Sequence, residues 1–183
     1  MEVRGSVLIS IDEFMKSEHV SQYDAWKKNL SKNTLQLLDK VGPQKWCPVE
    51  DGVIDPTVQL CKLCYDDPKK GAWESGRYSA KVSLSGVYKI FVLVSTPAFM
   101  LKRSSRVMTT FYNPTNIEVK NTTDKSMLLH LTELPVNNEL LEYRIGGWME
   151  KALEICGCKN LQFNITSSLS KGDKFTAYDI SWD

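Results

Sequence analysis

Few residues in this 183-residue chain have the type and spacing that chemistry requires. The clearest motif is Cys61-x-x-Cys64. Thiol–disulfide exchange needs an ionised thiol, and such a thiol sits exposed at a helix start after a strand, where the helix dipole lowers its pKa. Here the two cysteines stand at i and i+3 inside a helical apolar pattern with Leu60, Leu63 and Tyr65. That spacing predicts desolvated structural thiols with raised pKa values. A thiol oxidoreductase working through Cys61 and Cys64 is the competing, enzymatic reading. Cys156 and Cys158 could join them as four thiolates around zinc, but Cys-x-Cys spans a helix end and paired Cys-x-x-Cys knuckles are missing, so no metal is expected.

With only two histidines, a histidine-centred catalytic site has few ways to assemble. His19 stands at a helix boundary. His130 alternates out of phase with Met127, Leu129 and Leu131, which puts it on the second face of a sheet; were that face to line a pocket, His130 would contact a ligand. No nucleophile elbow, phosphate-binding loop or dinucleotide fingerprint occurs. Gly146-Gly147 lies within a helical pattern, so it predicts close helix packing and no phosphate site. Lys102, Arg103 and Arg106 read as a solvated helix face, with receipt of an anion or an acidic partner as the alternative.

The balance of 23 Lys and Arg against 22 Asp and Glu, a net charge of +1, argues against a generic binder of nucleic acid or membrane surfaces. Charge is uneven along the chain, residues 71–120 being its basic stretch. The opening MEVRGSVLIS lacks the apolar core and cleavage site of a signal peptide, and no stretch approaches the ~20 apolar residues of a membrane span. A cytoplasmic location is therefore expected. An odd number of cysteines, five, then reads as reduced thiols, and the Asn-x-Ser/Thr matches at Asn29, Asn121 and Asn164 as chance.

The elements that must position these residues run helices first, sheet later, in one unit over residues 1–183. Val3, Val7 and Ile9 lie on one face of a possible first strand, after which Ser10 with Glu13 resembles a capping box. Val20, Tyr23, Trp26 and Leu30 recur at helical spacing, as do Leu35, Leu38 and Val41 up to Gly42 and Pro43. Asp55-Pro56 opens a helix through about Tyr65, and Pro68 and Gly71 break the chain. A central buried helix is expected over 73–94, and another puts Met100, Val107 and Phe111 inward before Asn113-Pro114. The period then changes to two: Ile117 and Val119, a turn, and Met127, Leu129 and Leu131 form a β-hairpin. Leu141, Ile145, Trp148, Ala152 and Ile155 mark a helix capped by Gly157. Phe163 and Ile165, then Tyr178 and Ile180, form a second hairpin. The fold expected is α+β, with N-terminal helices packed on an antiparallel sheet and a ββαββ C-terminal half.

Several short motifs carry a resemblance: Gly76-Arg77-Tyr78-Ser79-Ala80, Gly86 to Phe91, Ser95-Thr96-Pro97 with Phe99 and Lys102-Arg103, Ile145 to Trp148, and Gly172 to Trp182. Together these resemble a bacterial family first catalogued in Myxococcus. Through it the chain looks like a distant member of a ligand-binding superfamily that includes 4-vinyl reductase domains, phenol-sensing domains, heme nitric-oxide-binding domains and Golgi tethering subunits. The resemblance implies a sensor or assembly module, commonly dimeric, with a cavity between helices and sheet. Phenol sensors and 4-vinyl reductase domains carry metal-binding cysteines where this sequence has Ser168 and Thr176, so their zinc site is not implied here. The heme-binding relatives use a helical His and a Tyr-x-Ser-x-Arg motif that this sequence lacks, so no heme is implied and no cofactor is expected.

The function expected is therefore a non-enzymatic cytoplasmic sensory or binding domain for an apolar small molecule or a protein partner. Its cavity would be lined by Tyr88, Phe91, Phe111, His130 and Trp148, a filled core being the bland alternative. A homodimer is expected from residues 73–94, whose apolar or small side chains (Ala80, Leu84, Tyr88 and Phe91; Val82, Val87, Ile90 and Val94) occupy more faces than one sheet can cover. A pure dimerisation module is the remaining alternative.

Overall fold

The computed structural model describes residues 1–85 and 104–183. Strand β1 (Glu2–Arg4) leads directly into helix α1 (Gly5–Glu18), so the first strand is shorter than Val3, Val7 and Ile9 suggested. Val7 and Ile9 are helical, and Ser10 lies in mid-helix, where its hydroxyl donates to the Val7 carbonyl at 2.7 Å instead of opening a cap. The reason is the buried α1 set of Val7, Leu8, Ile11, Phe14 and Met15, whose period continues past the polar residues.

Helices α2 (Tyr23–Asn29) and α3 (Lys32–Leu38) follow. Trp26, fully buried, donates its indole N–H to the Pro56 carbonyl at 3.0 Å. Strand β2 (Trp46–Pro48) and one wide helical turn then lead to α4 (Asp55–Cys64). Asp55 accepts from the Thr34 hydroxyl (2.7 Å) and the Ser31 amide (2.8 Å), so it clamps α3 to the start of α4. Pro68 does not break the chain but opens helix α5 (Pro68–Ser85), as a proline can at a first helical turn. Gly71 sits inside α5 because a side chain there would strike the Tyr65 ring. The central helix expected over 73–94 is thus present from Pro68 to Ser85, its remainder lying outside the described residues.

Helix α6 (Ser104–Phe111) and the short strand β3 (Tyr112–Asn113) precede the hairpin of β4 (Asn116–Thr122) and β5 (Ser126–Glu133). Helix α7 (Glu139–Ile155) is capped by the Asn138 side chain, which accepts from the Leu141 amide at 3.2 Å; beyond it Gly157 adopts φ +95°. Strands β6 (Gln162–Ser167) and β7 (Thr176–Ser181) close the chain. Two antiparallel sheets result, a small one ordered β2-β1-β3 and a four-stranded one ordered β4-β5-β7-β6. The fold is α+β, with the helices packed on the sheet and a ββαββ C-terminal half. Met127, Leu129 and Leu131 of β5 and Tyr178 and Ile180 of β7 face the helices and are buried. No helix among the described residues is long and apolar enough to cross a membrane.

Candidate functional site

Helices α5 and α7 touch backbone to backbone, because each is stripped of side chains at the crossing. A β-carbon at Gly76 would collide with the Arg144 carbonyl, and one at Gly147 with the Trp73 carbonyl. Gly146 faces the Trp73 ring in the same way. The glycine pair of α7 is thus a packing device, as its helical setting predicted.

This contact carries Arg144 into the interior between α1, α5 and α7. Its side chain is 1% exposed. One terminal nitrogen, Nη1, donates to Ser75 Oγ at 2.6 Å and the other, Nη2, to Ser10 Oγ at 3.1 Å. Ser10 Oγ in turn lies 3.0 Å from Ser79 Oγ. The third nitrogen, Nε, has no partner among the described residues. No carboxylate among them pairs with the guanidinium. Burial pulls its pKa down, and the groups that oppose this shift are the Tyr112 phenol and the Cys61 thiol. Burial pushes both of those up, Cys61 to about 12, so they face Arg144 as neutral groups.

Beside Arg144 lies a small cavity of about 10 Å³, bounded by Val7 of α1, Gly76 and Ser79 of α5, Met108 and Phe111 of α6, Tyr112 of β3, and Ile145 and Trp148 of α7. That is room for roughly one water-sized body. It is apolar on most of its wall and polar where Arg144, Tyr112 and Ser79 meet it. A larger hollow of about 440 Å³ is open to solvent and has a charged rim that includes Glu18, Arg77 and Lys151. There Arg77 pairs with Glu150 and Glu154 and is fully engaged.

Of the five residues that the sequence singled out, Phe111 and Trp148 come together at the enclosed cavity, their ring centroids 6.1 Å apart. Tyr88 and Phe91 lie outside the described residues, as do Lys102 and Arg103. Arg106 is exposed on α6. His130 does not reach the cavity. It stacks on Phe175 with centroids 3.7 Å apart, on the face of the sheet turned away from the helices, as strict alternation with buried Leu129 and Leu131 requires. His19 ends α1 with Nε2 3.1 Å from the Tyr65 hydroxyl, and burial lowers its pKa.

Arg144, Ser10, Ser75, Ser79 and Tyr112 were not anticipated. One signal existed: Arg144 falls on the apolar stripe of α7, three residues after Leu141 and four before Trp148, so its period already pointed a charge into the core. Cys61 is buried against α5 with its pKa pushed up, and Cys64 is half-buried and also raised, burial being the cause in both. Neither is an activated thiol. Ser168 and Thr176 are buried in a hydrogen-bonded turn: Ser168 donates to Glu142 Oε2 at 2.6 Å, and Thr176 Oγ1 accepts from the Leu169 amide at 3.0 Å. Among the described residues no group of three or more His, Cys, Asp or Glu side chains is arranged to hold a metal.

No protein-family model matches the sequence. No curated protein matches it either. The structure does match solved ones. It is similar to an H-NOX protein from S. oneidensis in the Fe(II)NO ligation state, with 10% identity and a TM-score of 0.75 over 98% of this chain and 99% of that one. It is similar also to the unliganded Fe(II) H-NOX protein from K. algicida, at 9% identity and a TM-score of 0.72 over 98% and 96% of the two chains. The H-NOX from Shewanella woodyi matches at 11% identity and a TM-score of 0.69, over 98% and 94%. From β1 to β7, then, this chain has the fold of the H-NOX proteins.

Proposed function

We propose that this chain is a non-enzymatic sensory or binding domain that takes a small molecule in the cavity between α1, α5, α6 and α7, and does so without heme. The observation that carries the reading is the small, mostly apolar cavity with a few convergent polar groups, Arg144, Tyr112 and Ser79, inside a fold shared end to end with H-NOX proteins, one of them in an Fe(II)NO ligation state.

The residues present do not fit a heme. An axial imidazole is missing from the cavity wall, since His19 is engaged by Tyr65 and His130 stacks on the far face of the sheet. The whole stretch from Val20 to Leu129 contains no histidine, so the undescribed residues cannot supply one. The cavity also has the wrong size. Its lining, Trp148 and Arg144 included, leaves about 10 Å³, which limits the proposed ligand to a few atoms and lies far below the roughly 300–1,000 Å³ of a pocket for a drug-sized ligand. Heme chemistry therefore plays no part in this proposal.

The proposal includes a cytoplasmic location, which the odd number of cysteines, five, supports. The raised pKa values of Cys61 and Cys64 support a non-enzymatic role over thiol exchange.

The test is native mass spectrometry of protein purified from its host, alongside reconstitution with hemin. A stoichiometric small molecule released on denaturation, together with no Soret band after reconstitution, is the expected result. Stoichiometric heme with a Soret band would overturn it.

A further inference from the structure

We infer that Arg144 is the receptor of an anion taken from solution, a halide-sized ion or the anionic end of a small organic acid, held at the unpartnered Nε beside the enclosed cavity. This deepens the binding-domain reading and rests on it, since it names the charge of the ligand that the cavity would take.

The argument starts from charge. A guanidinium stays protonated in a protein, and an isolated charge removed from water is costly unless something of opposite sign comes with it. Arg144 is 1% exposed, and the groups that accept from it, Ser75, Ser10 and the Tyr112 phenol, are neutral. The hydroxyls answer two of its nitrogens in direction but not in charge.

The chain itself has no counter-ion to offer at this place. Among the described residues no carboxylate reaches the guanidinium, and from Ser75 to Ile117 the sequence contains neither Asp nor Glu. The residues outside the description are part of that stretch and cannot provide one. Glu142, the nearest acid in sequence, is committed elsewhere: its carboxylate accepts from the Ser168 hydroxyl and the Ser170 amide, at the β6–β7 connection. Tyr112 and Cys61 face Arg144 but are held neutral by their own burial.

Geometry then limits the guest. Arg144, whose Nε has no partner among the described residues, and Ser79 border the same cavity, whose volume of about 10 Å³ admits one compact acceptor. Phe111, Met108 and Trp148 form the rest of the wall and close it on the acceptor, so any tail of an organic acid would need Trp148 or Phe111 to turn aside. A water could satisfy the Nε donor but would leave the charge uncompensated.

The experiment uses the whole chain at fixed ionic strength, with gluconate as the balancing anion. Bromide and formate are titrated separately while thermal unfolding is followed, and crystals grown in bromide are measured at the bromine absorption edge. The expected outcome is a saturable rise in Tm and an anomalous peak beside the Arg144 guanidinium. Losing a charge-assisted hydrogen bond in Arg144→Met should weaken binding about tenfold or more. A response to bromide alone identifies a free halide site, and a stronger response to formate identifies the head-group site of an organic acid. Should Arg144→Met fail to fold, the anomalous peak in the unmodified protein decides. A water at Nε in place of bromine, or an equal Tm response in Arg144→Met, overturns the inference. A neutral ligand bound in the cavity with no anion overturns it too, yet leaves the binding-domain reading standing. Bromine at Arg144 with no organic ligand in the purified protein does the reverse.

Discussion

The backbone of Gly76 rests against the carbonyl of Arg144, so the residue that sets the spacing of α5 and α7 touches the one that brings a charge into the core. The obstacle to any side chain at Gly76 is backbone, which cannot rotate away. Gly76→Ala should cost at the upper end of the roughly 1–3 kcal/mol of overpacking, and Gly147→Ala about as much. Urea denaturation at constant m-value measures this. Gly157→Ala is the contrast: nothing surrounds that position, and only its φ of +95° resists a side chain, so a smaller loss, about 1 kcal/mol, is expected there.

Alkaline stability should follow the buried thiols. Burial raises Cys61 from 9.0 to about 12, and Cys47 and Cys156 each to about 11. For such a group the unfolded chain loses its proton first, so its contribution is fully present below pH 9 and is lost as pH rises through the folded value. Unfolding free energy should therefore fall with pH above 9.0 and continue falling toward about 12, and Cys61→Ala should flatten that slope. A flat profile in the unmodified protein would show that these thiols are not desolvated.

At neutral pH the same burial should order the thiols by reactivity. Cys64, half-buried, should react with iodoacetamide before Cys61, which is 1% exposed. Mass spectrometry of partly labelled protein distinguishes the two, and rapid labelling of Cys61 would revive thiol chemistry at the Cys-x-x-Cys pair.

Trp148 separates a nearly filled cavity from an open one. Its ring borders the cavity and packs on Phe111. Because it is only half-buried, Trp148→Ala should cost about 3 kcal/mol, the low end for a large aromatic, and should open space for a small apolar probe such as xenon. Xenon density beside Arg144 in the variant and none in the parent is the expected result.

The homodimer remains a proposal that rests on the apolar residues of 73–94, of which 86–94 lie outside the described residues. Within Pro68–Ser85 the face of Ala80 and Leu84 is covered by its own chain, packing against Trp148, Ala152 and Ile155 of α7, whereas Val82 is exposed. Sedimentation equilibrium at micromolar concentration should give twice 20.8 kDa; the mass of one chain would leave intramolecular packing as the sole use of that apolar surface.

The parts of the fold written in local periodicity could be read directly from the residues. The two hairpins were legible because Met127, Leu129 and Leu131, or Tyr178 and Ile180, alternate over a sheet with one buried face, and a period of two admits no helix. Helix α7 was legible from the 141–155 stripe with its glycine stop, and α4 from Asp55-Pro56. Burial of Cys61 followed from the same helical spacing. The N-terminus was misread because Val3, Val7 and Ile9 are too few to separate a strand from a helix, and burial of α1 against α4 and α5 decided it. Pro68 was read as a break because a proline marks helix starts and helix ends with the same residue. Only the tertiary structure could decide the site. Ser10, Ser75 and Arg144 are separated by 65 residues or more and meet because two glycines let α5 and α7 approach, and no local pattern records that one helix will surround a charge with another's hydroxyls. The missing counter-ion is likewise a property of the assembled interior, since a guanidinium lacks a partner only once folding has fixed which side chains can reach it.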